Sequence, residues 1–214
     1  MSISKSIDKL GFETEAGWKE IDFQLAYDGS LKTSDFYNSP FIGELRSEPF
    51  DNKEACFEFM KKYWPTEVTS RCGFHLHFSL KNISLYCQLM RQDFYTFFYK
   101  EMEKWGENYP CKNKYFWDRL AGNIQYCTRK FIPDEQIPLR KKDTTRYTQL
   151  NYCWAMHKTI ECRLFPTFNE YETAQSATLA LLECVENYLD NSPPVVETVK
   201  DTIIGEEDSQ EQIQ

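Results

Sequence analysis

Residues 72–80, CGFHLHFSL, constrain this chain more than any other stretch. Cys72, Phe74, Leu76, Phe78 and Leu80 alternate with His75, His77 and Ser79. That is the period of a β-strand, whose side chains point by turns to opposite faces. One face is wholly apolar, and the other carries two of the three histidines in the chain. Such a strand needs paired neighbours for its backbone and a covering layer for its apolar side.

The rest of the sequence offers both. GFETE (11–15), a stretch around 20–26 and FIGELRS (41–47) read as further strands, with Asp28-Gly29-Ser30 as a turn between them. QLNYCWAM (149–156) and KTIECRLF (158–165) read as a strand pair. Helices are expected over 51–64, capped by Asp51 or Asn52 and ended by Pro65, and over 83–105, closed by Gly106. Two more are expected over 114–129 and 169–189, with a long loop over 132–143 that could cover a site. Trp18, Trp64 and Trp105 read as packing residues, and His157 as a turn residue between strands. The expected fold is α+β: one curved, mainly antiparallel sheet of five or six strands with helices on its convex face and a functional concave face.

At 214 residues the chain has room for one domain, here 1–190, with an appendage. The formal charge of −8 argues against a general nucleic-acid binder. Much of that acidity sits in 191–214, where six acidic residues face one lysine; this stretch reads as a mobile acidic tail. Eight cysteines without a CxxC pair suggest buried free thiols rather than zinc knuckles or redox motifs. No apolar run is long enough for a bilayer, and the amino terminus lacks a secretory apolar core. The expectation is a soluble protein of the reducing cytoplasm, with no membrane partner.

The polar faces carry the chemical signal. Glu13 and Glu15 share one side of the first strand, Glu44 marks another, and Glu161 and Arg163 share a side of the last. A half-solvated antiparallel sheet produces alternation routinely. The residue choice is less routine, because clustered carboxylates repel and raise one another's pKa unless a cation neutralises them. Carboxylate-rich sites with imidazole suit Mg²⁺ or Mn²⁺ better than zinc in the presence of phosphate, and the Arg163 fork suits a carboxylate or phosphate.

Taken in order, these motifs resemble a known family. HLHFSL resembles the His-x-His-x-Ser-Leu strand of glutamine synthetase, GFETE its first Glu-x-Glu strand, and TIECRLFP (159–166) its Ile-Glu-x-Arg strand. The closest pattern is that of the amidoligases, compact relatives of glutamine synthetase and glutamate–cysteine ligase. The likeness runs through GFETE, AYDGSL (26–31), GELRS (43–47), CGFHLH (72–77), RYTQLN (146–151) and TIECR (159–163), and covers about residues 9–190. Glu48 departs from the apolar or proline residue that usually follows Gly-Glu-x-x-Ser.

The resemblance implies an ATP-dependent carboxylate–amine ligase on a glutamine synthetase-like sheet, working with ATP and Mg²⁺ or Mn²⁺ on small-molecule or peptide substrates. It implies that Glu13, His75 and Glu161 hold a metal on the nucleotide phosphates and that Glu15 and Glu44 hold a second. Ser79 would meet an ATP phosphate, with His77 as a further candidate. Arg163 and Arg146 would meet the transferring phosphoryl or the substrate acid. Asp28 and Ser30 could line the substrate end or form a plain turn. Two rivals stay open at this point: an ATP phosphotransferase on a related fold, and a catalytically silent binding or assembly protein.

Overall fold

The protein is described here by a computed structural model covering residues 2–109, 112–133, 137–140 and 143–193. The expected tail beyond Pro193, Lys141-Lys142 and part of the 132–143 loop lie outside these residues. Five strands form one open antiparallel sheet: β1 (Ile7–Trp18), β2 (Phe41–Arg46), β3 (Gly73–Leu80), β4 (Leu150–Tyr152) and β5 (Ile160–Pro166). Their spatial order is β2-β1-β3-β5-β4. Among the described residues the helices are α1 (Lys53–Lys62), α2 (Ile83–Leu89), α3 (Gln92–Asn108), α4 (Lys114–Leu120), the short α5 (Trp154–His157) and α6 (Tyr171–Asn191). The class is α+β.

The alternation in β3 works as the sequence requires. Phe74, Leu76 and Phe78 are fully buried in a core shared with Phe12 of β1 and Cys162 of β5. Phe94, Phe98 and Met102 of α3, and Ala177, Leu181 and Val185 of α6, close over that face. Aromatic edges lock the layers, with Phe12 against Phe59 of α1 and Phe165 against Trp105 of α3. The indole nitrogens of Trp18, Trp64 and Trp105 all donate hydrogen bonds inside this packing. Of the cysteines, 56, 72, 127, 153, 162 and 184 are buried free thiols and Cys87 is half-buried. No helix among the described residues is long and apolar enough to cross a membrane.

Several expected boundaries move. The segment 20–26 is not a strand; its pairing with β2 is an isolated bridge between Ala26 and Glu44. The single helix expected over 83–105 is two. Arg91 takes an extended conformation and pairs with Asp93, starting a new helix at Gln92. Gly106 lies inside α3 with Phe116 packed against it, rather than at the end. The helix expected to reach Arg129 stops at Leu120, because Gly122 adopts φ +79°, a left-handed conformation that ends a helix. In 149–156 only Leu150–Tyr152 pair as a strand, since β5 is their one neighbour, and the chain then turns into α5.

One irregularity matters for the site. Phe74 pairs with Phe165, yet Leu76 pairs with Cys162, so Arg163 and Leu164 stand opposite the single residue His75. This bulge keeps both Cys162 and Phe165 in the core while Arg163 turns to the polar face.

Candidate functional site

The strand register assembles the polar residues across the sheet. Glu15 sits beside Glu44, Glu13 beside His75, His77 beside Glu161, and Asn151 beside Glu161. All five strands therefore contribute to one row. The row lines a cavity of about 270 Å³ that also receives Asp28, Arg46, Arg146, Arg163 and, at its rim, His157. Two further cavities share its walls. One of about 480 Å³ extends past Glu15 and Asp28 to Arg71, Arg119, Tyr126 and Tyr147. The other, of about 330 Å³, extends past Glu13 and His77 to Lys9, Ser79 and Thr159.

Of the residues singled out from the sequence, Glu13, Glu15, Glu44, His75, His77, Arg146, Glu161 and Arg163 converge on the central cavity. Ser79 does not; it lines the adjoining space beyond His77. His157 lies between β4 and β5 as expected, at the end of the one-turn helix α5, and its side chain lines the cavity. Asp28 satisfies both of its readings at once. Its carboxylate accepts the Ser30 amide at 2.6 Å as a turn residue, and it forms an acidic triad with Glu15 and Glu44.

Three contributors carried no assignment from the sequence. Arg46 forms an ion pair with Glu44 and lies 3.7 Å from Glu13. Arg119 is buried and donates to the backbone oxygens of Arg163 and Cys72. Asn151 is buried and donates to Glu161 Oε2 at 2.6 Å. Arg46 and Asn151 were visible as polar positions inside GELRS and RYTQLN, two residues from a carboxylate or on a neighbouring strand. Arg119 gives no such signal, because it belongs to a helix whose partner strand is far away in sequence.

The electrostatics divide the acids into two kinds. Burial pushes the Glu15 carboxyl up to about 8, helped by its contact with Asp28. Burial and the neighbouring Glu13 charge push Glu44 up to about 7 despite Arg46. Burial opposes ionisation of Glu161 as well, but the Arg163 charge and the two imidazoles outweigh it and hold that carboxyl at about 2. Glu13 is likewise held low against burial by His75 and His77. His75 is pushed down to about 4, by burial first and the Arg163 charge second, so its imidazole is neutral at pH 7.

Local contacts hold these side chains in place. Arg163 pairs with Glu161 and donates to the Tyr126 carbonyl at 3.3 Å. Glu15 accepts the Gly73 amide at 2.8 Å. A β-carbon at Gly73 would stand 2.6 Å from His75 Nε2, so the imidazole keeps this position only beside a glycine.

Buried polar atoms normally find partners. Here His75 Nδ1, His77 Nε2 and Asn151 Oδ1 have none among the described residues. Three overlapping sets could hold a cation: Glu13, Glu44 and His75; Glu13, His77 and Glu161; and Glu15, Asp28 and Glu44. Glu13 belongs to two sets and Glu44 to two. Lone pairs without donors beside crowded carboxylates are the arrangement a divalent cation satisfies. The donor atoms therefore fit the implied metal. In comparisons with family models, curated proteins and solved structures, none matched this chain.

Proposed function

We propose that this protein is an ATP- and divalent-cation-dependent carboxylate–amine ligase of the amidoligase kind, with its sheet corresponding to the catalytic sheet of glutamine synthetase. One observation carries the reading. The Glu-x-Glu, His-x-His and Glu-x-Arg pairs, separated by up to 150 residues of chain, come together on a single sheet face around shared cavities.

A ligase of this type must gather two anions, a polyphosphate and a carboxylate, and stabilise a phosphoryl group in transfer. Divalent cations held by Glu13, His75, His77 and Glu161 on one side, and by Glu15, Asp28 and Glu44 on the other, would neutralise phosphate and carboxylate charge. The chain's own groups do the rest. Arg163, fixed by Glu161 and the Tyr126 carbonyl, presents its remaining guanidinium edge to the cavity as a fixed positive charge. Arg146, resting over the Tyr147 ring at 5.6 Å, offers a second positive charge from the opposite wall. Ser79 and Lys9 lie along the continuation past His77, with the space for the nucleotide's extended part. The larger space around Arg71, Arg119 and Tyr126 is left for the acid and amine. Burial of Glu15 and Glu44 excludes water from the reacting centre, which protects an acyl phosphate from hydrolysis.

The test is product analysis. The full chain, ATP and Mg²⁺ or Mn²⁺ are incubated with panels of acids and amines. A ligase yields ADP, phosphate and an amide. A phosphotransferase yields ADP and a stable phosphorylated acceptor. No cation-dependent nucleotide affinity at all would leave the silent binding protein.

A further inference from the structure

Four residues border both the central cavity and the neighbouring one of about 330 Å³: Glu13, Arg46, His77 and His157. They mark the passage between the two spaces. Three of them rise from strands, Glu13 from β1, Arg46 from β2 and His77 from β3. Glu13 and His77 share a candidate cation set, and Arg46 pairs with Glu44. Of the four, His157 alone reaches the passage from outside the sheet, on the connection between β4 and β5. All three histidines of the chain thus border one cavity.

That connection is longer than the pairing requires. Tyr152 and Ile160 pair across the hairpin, and a turn of about two residues commonly joins such strands. Residues 153–159 instead form α5 and its flanks. Trp154 fastens the start of α5 to the core: its amide donates to the Tyr86 hydroxyl at 3.3 Å, and the two rings lie 4.6 Å apart. Lys158 closes the other end. Its amide donates to the Trp154 carbonyl at 3.1 Å, and it takes φ +57°, the one left-handed non-glycine residue among those described. A strained backbone of this kind gathers at active sites and ligand clamps. Here it ends the helix directly after His157, which is exposed and within reach of a ligand in the passage, whereas His75 is enclosed in the sheet face.

We propose that His157 is a catalytic residue of phosphoryl transfer, donating an imidazole N–H to the phosphoryl group as it crosses between the two cavities. The proposal rests on the ligase reading, which supplies the group in transit. In that step the bond from the γ-phosphorus to the bridging oxygen of ADP breaks and its electron pair stays on ADP. A substrate carboxylate oxygen bonds to the phosphorus, and no proton moves to or from His157. Negative charge spreads over the three equatorial phosphoryl oxygens. Arg163 meets that charge from the sheet, and His157 meets it from the hairpin. A fixed donor aimed at charge in flight acts on the transition state more than on bound nucleotide.

The experiment is calorimetry of the full chain with Mn²⁺, comparing ADP with ADP–fluoroaluminate, a stand-in for the phosphoryl group in flight. His157→Ala should weaken ADP–fluoroaluminate binding about 100-fold, the usual loss for one such donor, and leave ADP binding essentially unchanged. His157→Gln keeps a neutral N–H donor and should recover most of the loss. In ¹⁵N-histidine spectra the His157 side-chain signal should shift with ADP–fluoroaluminate and not with ADP. Undiminished binding to His157→Ala, or equal weakening of both ligands, would overturn the proposal. The outcomes separate the two claims. Tight ADP–fluoroaluminate binding that ignores His157 removes this role and leaves the ligase standing. His157-dependent binding, together with a stable phosphorylated acceptor in place of an amide, keeps the role and removes the ligase. A parent chain that binds neither ligand removes both.

Discussion

Replacing Glu15 by glutamine measures what it costs to gather these acids on one sheet face. Glu15 is 8% exposed, and its carboxyl is raised from 4.5 to about 8, by burial first and Asp28 second. The folded protein therefore holds a proton that the unfolded chain releases above pH 4.5. The associated stability is fully present below that value and is lost as pH rises to about 8. At about 1.4 kcal/mol per pH unit, the loss reaches on the order of 4 kcal/mol at pH 8. Gln copies the protonated form: it can accept the Gly73 amide, face Asp28 with an N–H and carry no charge. Urea unfolding in the presence of a chelator, stepped from pH 5 to pH 8, should show near-equal stability at pH 5. By pH 8 the variant should be the more stable by a margin of up to about 4 kcal/mol. Added Mn²⁺ should reverse the order, since binding to the folded state stabilises only the chain that still holds it. A variant that is less stable than the parent at pH 8, or a gap that does not change with pH, would refute the reasoning.

Other outcomes are expected from the same geometry. Divalent-cation affinity should rise between pH 6 and pH 8.5 with release of protons, because Glu15 at about 8 and Glu44 at about 7 must ionise to bind; calorimetry in buffers of different ionisation heat counts them. Glu161→Ala should cost about 3–5 kcal/mol in chemical unfolding, because it strands the buried Arg163 charge. Glu161→Gln should lose less stability while still ending cation-dependent ATP turnover. Gly73→Ala should displace His75 and weaken metal binding, read by titration, since the added carbon would meet the imidazole at 2.6 Å. Cys162→Ala should lower the unfolding midpoint, by about 1–2 kcal/mol for a small buried side chain, and leave turnover unchanged, because its thiol faces the core.

The alternation in 72–80 was enough to read both faces of β3, and the same parity placed Glu13 with Glu15 and Glu161 with Arg163. Helix ends were less legible. The apolar stripe over 83–105 runs on through Arg91, and nothing in its period announces that Asp93 will start a second helix. Ser79 shares the parity of His75 and His77, yet the strand carries it a further step along the cleft, into the neighbouring space. Arg119 was unreadable for another reason: it reaches the site from α4, through hydrogen bonds to backbone 44 and 47 residues away.

By itself the sequence determined which residues share a face, because side-chain direction is a local consequence of backbone period. It determined the α+β class and the chemistry of the polar face in the same way. Distance between strands is not local. Only the tertiary structure decided that β3 lies between β1 and β5, that a bulge after Arg163 returns Phe165 to the core, and that two imidazole nitrogens meet the same two carboxylate oxygens. Those facts depend on register, which is set by the packing of the whole apolar face rather than by any one segment.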